Sequence, residues 1–419
     1  MTMMKSSNTE WLGDIPAEWD VAQIGNYYEL RNEKVSDYDF EPLSVTMKGI
    51  VPQLATAAKS DDHSNRKLVK KGDFVINSRS DRRGSCGISP LDGSVSLINI
   101  VMEPRGEMNP QYYNWLFHTE QFADEFYKWG HGIVDDLWTT RWQEMKKILI
   151  VAPSPDEQQA IADYLDETCS KIDEIIAEAK ASIDEYKELK QSVIFEAVTK
   201  GLDKNVEMKD SGIEWIGKTN KNAVIKKIKY TSNISRGLFN YRPRNAEFLY
   251  GGIHPFIQTG DVAKANKYVT DYKQTLSDEG TKISKFFPKG TLTMTIAANV
   301  GDVSILGFDA YFPDSVLGIT PFNKYSSEYL YYVFSSMKSE FVRVSISNTQ
   351  LNLNVERVKE LFVPIFEDSV VQKKIVEYLD EKCSTIDSLI AEKESLINDL
   401  EAYKKSLIYE VVTGKRRVV

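Results

Sequence analysis

The chain is poor in the residues that build covalent or metal frameworks. Its 419 residues include three cysteines, Cys86, Cys169 and Cys383, and four histidines. Cysteines so few and scattered exclude a disulfide framework, and histidines in no ligand spacing exclude a metal cage, so no metal-binding residues are expected. No run approaches the roughly 18 consecutive apolar residues of a membrane span, and the opening MTMMKSSNTE lacks the apolar stretch of a secretory signal. A cytoplasmic location without a membrane partner is the expectation. The nucleotide-binding loop G-x-x-x-x-G-K-S/T and the glycine-rich fingerprint after a strand are both missing. Positive charge is also short: the net charge of −9 argues against a uniformly basic nucleic-acid binder. What is present in quantity is apolar residue, 42% of the chain, enough for the cores of two or three domains.

An internal repeat organises the sequence. IADYLDETCSKIDEIIAE at 161–178 returns as IVEYLDEKCSTIDSLIAE at 375–392, an offset of 214 that continues through Thr199 and Thr413. A weaker echo precedes each copy: Trp11, Gly13, Val21 and Ile24 correspond to Trp215, Gly217, Ile225 and Ile228, while Ala223 stands where Trp19 would be matched. Lys71-Gly72 ahead of FVIN likewise matches Lys289-Gly290 ahead of LTMT. The order is globular unit, long helix, globular unit, long helix.

Each long helix has a start, a stripe and a stop. Ser154 can cap, Pro155 suits the first helical position, and Glu157 can reach back as the capping-box acid. Ile161, Leu165, Ile172, Ile176, Ala179, Ile183, Tyr186, Val193 and Ala197 then recur at three- and four-residue steps until Gly201. Ile375, Leu379, Ile386, Ile390, Ile397, Leu400, Leu407 and Val411 repeat the pattern before Gly414. Forty residues of helix extend roughly 60 Å and need a partner; a pseudo-twofold repeat pairs the two helices as an antiparallel coiled coil. Cys169 and Cys383 are then expected as reduced seam residues.

The globular units read as mixed α+β. Strands are expected at 42–46, 73–78, 94–102, 255–259, 291–297 and 302–306, with one helix each over 109–129 and 326–344. The chain divides at 1–155, 156–201, 202–367, 368–414 and a basic tail at 415–419. Net charge is −5 for 1–155, −7 for 156–200, +4 for 201–367 and −1 for the remainder, so acidity concentrates on the first long helix.

Basic residues instead gather in turns. Arg66, Lys67, Lys70 and Lys71 precede Asn77-Ser78-Arg79-Ser80-Asp81-Arg82-Arg83-Gly84, which follows a strand; the second unit has Arg236-Gly237-Leu238-Phe239-Asn240-Tyr241-Arg242-Pro243-Arg244. Arginine and asparagine make bidentate contacts to guanine and adenine edges, while serine, lysine and backbone amides hold phosphates. Asn77, Ser78, Arg79, Arg82, Arg83, Arg236, Tyr241, Arg242 and Arg244, joined by Gln258, Thr259 and Asn299, form the candidate DNA-contacting set. The occurrence of a basic turn in both repeats favours DNA over a solvated loop.

Two apparent catalytic motifs fail. Asn109-Pro110-Gln111-Tyr112 lacks the second proline of the N-P-P-Y pocket of amino methyltransferases and suits a helix start. Pro155-Asp156 with Glu178-Ala179-Lys180 mimics a nuclease spacing, but both acids fall on one helix some 30 Å apart and cannot converge on a metal. No catalytic residue is expected.

EWLGDIP with EWIG, LVKKGDFVINSRSDRRGSCG, IQTGDV with FPKGTLTMTIAANVGDVSIL, and DEQQAIADYLDETCSKID with its copy together resemble the specificity subunits of type I restriction-modification enzymes, across essentially the whole chain. The resemblance implies two target recognition domains on an antiparallel helical spacer, reading two dissimilar half-sites in opposite orientation. It implies as partners double-stranded DNA, two methyltransferase subunits and two restriction subunits. S-adenosylmethionine, ATP and magnesium are expected on those subunits and no cofactor on this chain. The chain departs from the pattern at 367–372, where EDSVVQ replaces a Pro-x-x-Glu-Gln helix start, and around Asn220 to Ala223. A free-standing DNA-binding regulator and a coiled-coil adaptor for proteins are the rival readings.

Overall fold

The computed structural model describes residues 3–56, 63–79, 82–132, 138–297, 299–347 and 351–418. It divides into two compact units, Met1–Lys180 with Glu394–Val419, and Ala181–Lys393. The division falls inside the long helices, so each unit takes a stretch of both.

The first unit is built on a four-stranded antiparallel sheet in the order β3-β2-β4-β1, where β1 is Tyr28–Leu30, β2 Phe74–Asn77, β3 Cys86–Ile88 and β4 Asn99–Pro104. The single strand expected at 94–102 is two, Gly93–Val95 and β4, belonging to different sheets. The helix expected over 109–129 is also two, α1 (Pro110–Phe117) and α2 (Glu120–Lys128). The break comes at Thr119, whose hydroxyl accepts the Phe122 amide and starts a new helix. Against the sheet these helices bury an aromatic cluster in which Phe117 lies 5.0 Å from Phe74, 5.9 Å from Tyr28 and 4.5 Å from Phe122. The first long helix, α3, runs from Pro155 to Lys200. Its start is the reciprocal box read from the sequence: Ser154 Oγ accepts the Glu157 amide at 3.3 Å and Glu157 Oε2 accepts the Ser154 amide at 3.2 Å.

The second unit repeats the frame. Strands β5 (Ser232–Arg236), β6 (Tyr268–Val269), β7 (Leu292–Thr295), β8 (Val303–Leu306) and β9 (Val316–Pro321) form a sheet in the order β5-β9-β7-β8-β6. The order β8-β7-β9-β5 restates β3-β2-β4-β1, and β6 is an additional strand, parallel to β8. The expected 326–344 helix splits into α4 (Ser327–Ser335) and α5 (Lys338–Arg343). Near the expected strand 255–259, the strand occupies Tyr250–Phe256, and Thr259 opens a short helix instead. The second long helix, α6, spans Ser369–Val412. Its unusual start is capped after all: Asp368 Oδ1 accepts the Val370 amide at 2.8 Å, and the Gln372 side chain donates to the Phe366 carbonyl as Gln158 does to Pro153.

Stripe residues lie inward in both units. In the first, Ile161, Leu165, Ile172, Ile176 and Ala179 are buried, as are Leu407 and Val411. Asp173 pairs with Lys404 at 2.6 Å and Lys180 with Glu401 at 3.9 Å, so as numbering rises along α3 it falls along α6. In the second unit Ile194, Ala197 and Val198 share one cluster with Ile375, Leu379 and Cys383, and Lys190 pairs with Asp387 at 2.7 Å. The pairs Asp173/Lys404 and Asp387/Lys190 occupy matching repeat positions with the helices exchanged. All three cysteines are free and buried, and burial pushes the Cys169 and Cys383 thiols up to about 11.

Each unit is closed at its base by an N-terminal hairpin, Met4–Ser6 with Asp14–Pro16, or Met208–Asp210 with Lys218–Asn220. The second hairpin explains the sequence departure there. Thr219 Oγ1 donates to the Thr199 carbonyl at 2.6 Å and Asn220 Nδ2 to the Lys200 carbonyl at 2.8 Å, satisfying the last turn of α3. Gly201, in the left-handed region at φ 76°, has the Phe366 ring 3.2 Å from where a side chain would begin; Gly414 has Trp19 at 2.9 Å in the corresponding place. Phe366, just past the strand Phe362–Ile365, thus does for Ala223's unit what Trp19 does for the first.

Candidate nucleic-acid interface

The first basic turn connects β2 to β3. Asn77 and Ser78 are buried and serve the turn from within: Asn77 Oδ1 accepts the Arg79 amide at 3.0 Å, and the Ser78 hydroxyl donates to the Ile98 carbonyl. Their side chains face the core and hold the frame. Arg79 is half-buried, its backbone bridged to Thr139, and Arg82 and Arg83 are exposed. Gly84 in the left-handed region, at φ 73°, turns the chain back so that the Ser85 amide meets the Arg82 carbonyl at 3.0 Å. Arg83 pairs with Asp124 of α2. Ser80 and Asp81 lie outside the described residues.

Two other members of the basic cluster are turned inward. Arg66 is buried with Nε on Ser94 Oγ at 2.8 Å, and Lys67 donates to the Asn99 carbonyl at 2.6 Å. Burial lowers the pKa of both. Nearby, the Asp73 carboxylate is almost fully buried and accepts from Arg31 Nε at 2.6 Å, Arg31 Nη2 at 3.1 Å and the Lys70 amide at 2.8 Å. The hydrogen bond to Asp73 is the main cause of a raised Arg31 pKa. Changing Arg31 to Met should cost the chain about 3–5 kcal/mol, because it strands a buried carboxylate. Urea unfolding monitored by far-ultraviolet circular dichroism checks this, and a loss below about 1 kcal/mol would count against it.

The counterpart of this turn in the second unit is not the arginine loop. It is the β7–β8 connection, where Gly301 repeats Gly84 with φ 87° and the Thr295 amide meets the Asp302 carbonyl at 3.0 Å, as the Asn77 amide meets Ser85 at 2.9 Å. This connection is one residue shorter than its counterpart, and Asn299 lies in it, exposed. The loop of Arg236, Tyr241, Arg242 and Arg244 follows β5, whose counterpart β1 leads elsewhere. The two basic turns therefore hold different places in the repeat, and their joint occurrence is not the internal symmetry that the sequence suggested.

That second loop is ordered around Asp314. Arg244 Nη2 lies 2.9 and 3.0 Å from the two Asp314 carboxylate oxygens, Arg236 Nε donates to the Asp314 carbonyl at 2.5 Å, and Tyr250 OH donates to the Arg244 carbonyl at 2.5 Å. Arg242 donates to the Tyr241 carbonyl at 3.1 Å. Tyr241 meets the ring of Phe248 edge-on at 5.4 Å, and both rings are exposed. The exposed Phe248 was absent from the sequence reading; its only signal was an aromatic in a charged loop. Gln258 and Thr259 do not join this loop's contacts: Gln258 caps a short helix, its amide on Asp261 Oδ2 at 2.8 Å and its side chain on Gln274 at 3.0 Å, while Thr259 is that helix's first residue. Among the described residues no cluster of histidine, cysteine, aspartate or glutamate could hold a metal, and no helix is long and apolar enough to cross a membrane.

The same sheet frame is built twice, with arginines in one connection and Asn299 in the matching connection of its repeat. Residues 236–399 match the model of the type I restriction modification DNA specificity domain. A type I restriction enzyme specificity subunit, MjaIX of Methanocaldococcus jannaschii, is 29% identical over 173 residues, which is 40% of this chain and 40% of that protein. The aligned part thus spans two fifths of that relative's length. Among solved structures, a chain from work on complex assembly and conformational transition of the type I R-M system shares the fold at TM-score 0.73 and 13% identity, covering 96% of this chain and 99% of its own. The HsdS subunit of Thermoanaerobacter tengcongensis does so at 0.52 and 14%, covering 96% and 98%.

Proposed function

We propose that this chain is the DNA-reading subunit of a type I restriction-modification complex. Each unit reads one half of a bipartite, asymmetric site, and the long helices act as an antiparallel coiled-coil spacer between pseudo-twofold copies. The observation that carries this reading is the matched connection at Gly84 and Gly301: one frame, built twice, carries exposed Arg82 and Arg83 in one unit and exposed Asn299 in the other. Arginine suits the guanine edge and asparagine the adenine edge, so like frames would read unlike sequences. The chain itself carries no catalytic group in this reading. Two methyltransferase subunits supply adenine methylation with S-adenosylmethionine, and two restriction subunits supply ATP- and magnesium-dependent cleavage, in the cytoplasm.

The experiment is a gel shift with and without methyltransferase subunits, followed by mapping of methylated adenines. A bipartite methylated sequence, with tight binding only when the partners are present, is expected. Tight specific binding by the chain alone indicates a free-standing regulator, and no sequence preference in either setting indicates a protein adaptor; either outcome overturns the proposal.

A further inference from the structure

The two units differ at one edge of their sheets, and the difference exposes a groove. In the second unit β6 lies outside β8, with the Ile305 amide donating to the Lys267 carbonyl at 2.9 Å. In the first unit the counterpart of β8 is β3, which is the edge strand of its sheet. Ile88 stands there in the place of Ile305 and lines an open cleft of about 840 Å³.

The residues beside β6 show what such a cleft receives. Lys267 Nζ reaches Asp380 at 2.5 Å and lies 5.0 Å from the Tyr332 ring centre, and Asn266 Nδ2 reaches Asp387 at 3.0 Å. Tyr332 also donates its hydroxyl to Asp380 at 2.5 Å. By the offset of 214, Asp166 and Asp173 are the counterparts of Asp380 and Asp387. Trp115 takes the place of Tyr332, its indole N–H on Asp166 at 2.8 Å, and Gln111 donates to the same carboxylate at 3.0 Å. The acid and the aromatic face are thus preserved, but among the described residues no lysine and asparagine stand in the places of Lys267 and Asn266. Asp173 is 60% exposed where Asp387 is 28% exposed, although each holds its matching cross-helix lysine. Lys70 and Lys71 also line the cleft.

We propose that this groove of the first unit is a docking site for an extended segment of a partner protein carrying a lysine followed by an aromatic residue. The segment adds as a strand along β3, so that its backbone accepts the Ile88 amide as Lys267 accepts Ile305. Its ammonium sits on Asp166 against Trp115, an indole being the strongest of the aromatic faces for a cation. The helix side of the groove, with Asp163 and Asp166, favours a cationic peptide over nucleic acid. The inference goes beyond DNA reading and is independent of it.

The chain supplies its own probe. A fluorescent peptide with the sequence of residues 263–272, AKANKYVTDY, is titrated into the full-length protein, and amide hydrogen exchange is followed at Ile88. Saturable binding, slowed Ile88 exchange, and at least about fivefold weaker binding to the Asp166→Lys variant or by the peptide with lysine 267 replaced by alanine are expected. The Asp380→Asn variant should bind the peptide as the native chain does. No binding at millimolar peptide, binding indifferent to Asp166→Lys, or equal binding of the alanine peptide would each overturn the proposal. DNA methylation of the reconstituted complex is measured in parallel, so that loss of the docking site is distinguished from loss of the DNA-reading function.

Discussion

If the chain reads DNA as proposed, exchanging residues 228–361 for the corresponding segment of a type I specificity subunit should rewrite one half of the methylated sequence and leave the other half intact. The cut points follow from the ribbon that closes the second unit: Val224 to Lys227 pair antiparallel with Ile365 to Phe362, and the Ile228 amide then meets the Leu361 carbonyl at 2.9 Å. Both chain ends therefore leave the ribbon side by side. What stays behind keeps the apolar cluster of Ile194, Ala197, Val198, Val363, Ile365, Ile375 and Leu379. The first unit closes identically, its Asp20 to Gln23 ribbon paired with Ala152 to Leu149 and the Ile24 amide on the Ile148 carbonyl at 3.0 Å. A sharper version follows: placing this chain's own residues 24–148 between Lys227 and Phe362 should turn the site into an inverted repeat of the first half-site. Since each mismatched base pair costs roughly 1–3 kcal/mol, the native second half-site should be lost outright. Methylome sequencing gives the answer. Alteration of both halves, or of neither, would show that the units are not independent readers.

The long helices were legible because capping and periodicity act locally and repeat over forty residues, and the duplicated segment made each reading check the other. Short strands were less so. β6 is two residues, Tyr268 and Val269, between lysine and threonine, with no alternation to see; only pairing with β8 makes it a strand. The turns misled for a related reason. Basic composition placed 77–84 beside 236–244, whereas hydrogen bonding places it beside 295–302, a segment with no arginine. Asn77, Ser78, Arg66 and Lys67 looked like exposed polar residues because sequence does not say which polar groups a buried backbone will need. The replacement of Trp19 by Ala223 looked like decay of the repeat, and Phe366, remote in sequence, restores the packing.

Alanine at Arg82 should relax the choice of one base pair and cost about 1–3 kcal/mol at the native site, roughly a 5- to 150-fold loss. Its turn is rigidly framed by Gly84 and by the Asn77 and Ser85 amides, so the side chain is presented from a fixed backbone. Asn299→Ala, on the same frame in the second unit, should relax a position in the other half-site only. Arg83 and Arg244 each lie beside an exposed carboxylate, Asp124 or Asp314. Such pairs are worth about 0–1 kcal/mol in water, and a phosphate can displace the carboxylate at small cost. Alanine at either arginine should therefore weaken all sequences about equally and reduce the salt slope by about one. Asp124→Asn should act in the opposite direction, strengthening binding slightly at low salt, because the carboxylate no longer competes for Arg83. Methylation rates across a salt titration, on the native site and on single-base variants, separate the two classes. Unchanged rates in every arginine variant would assign both loops to solvent, and a base-specific effect of Arg244→Ala would mean that Asp314 aims the guanidinium at a base edge instead of holding it beside a phosphate.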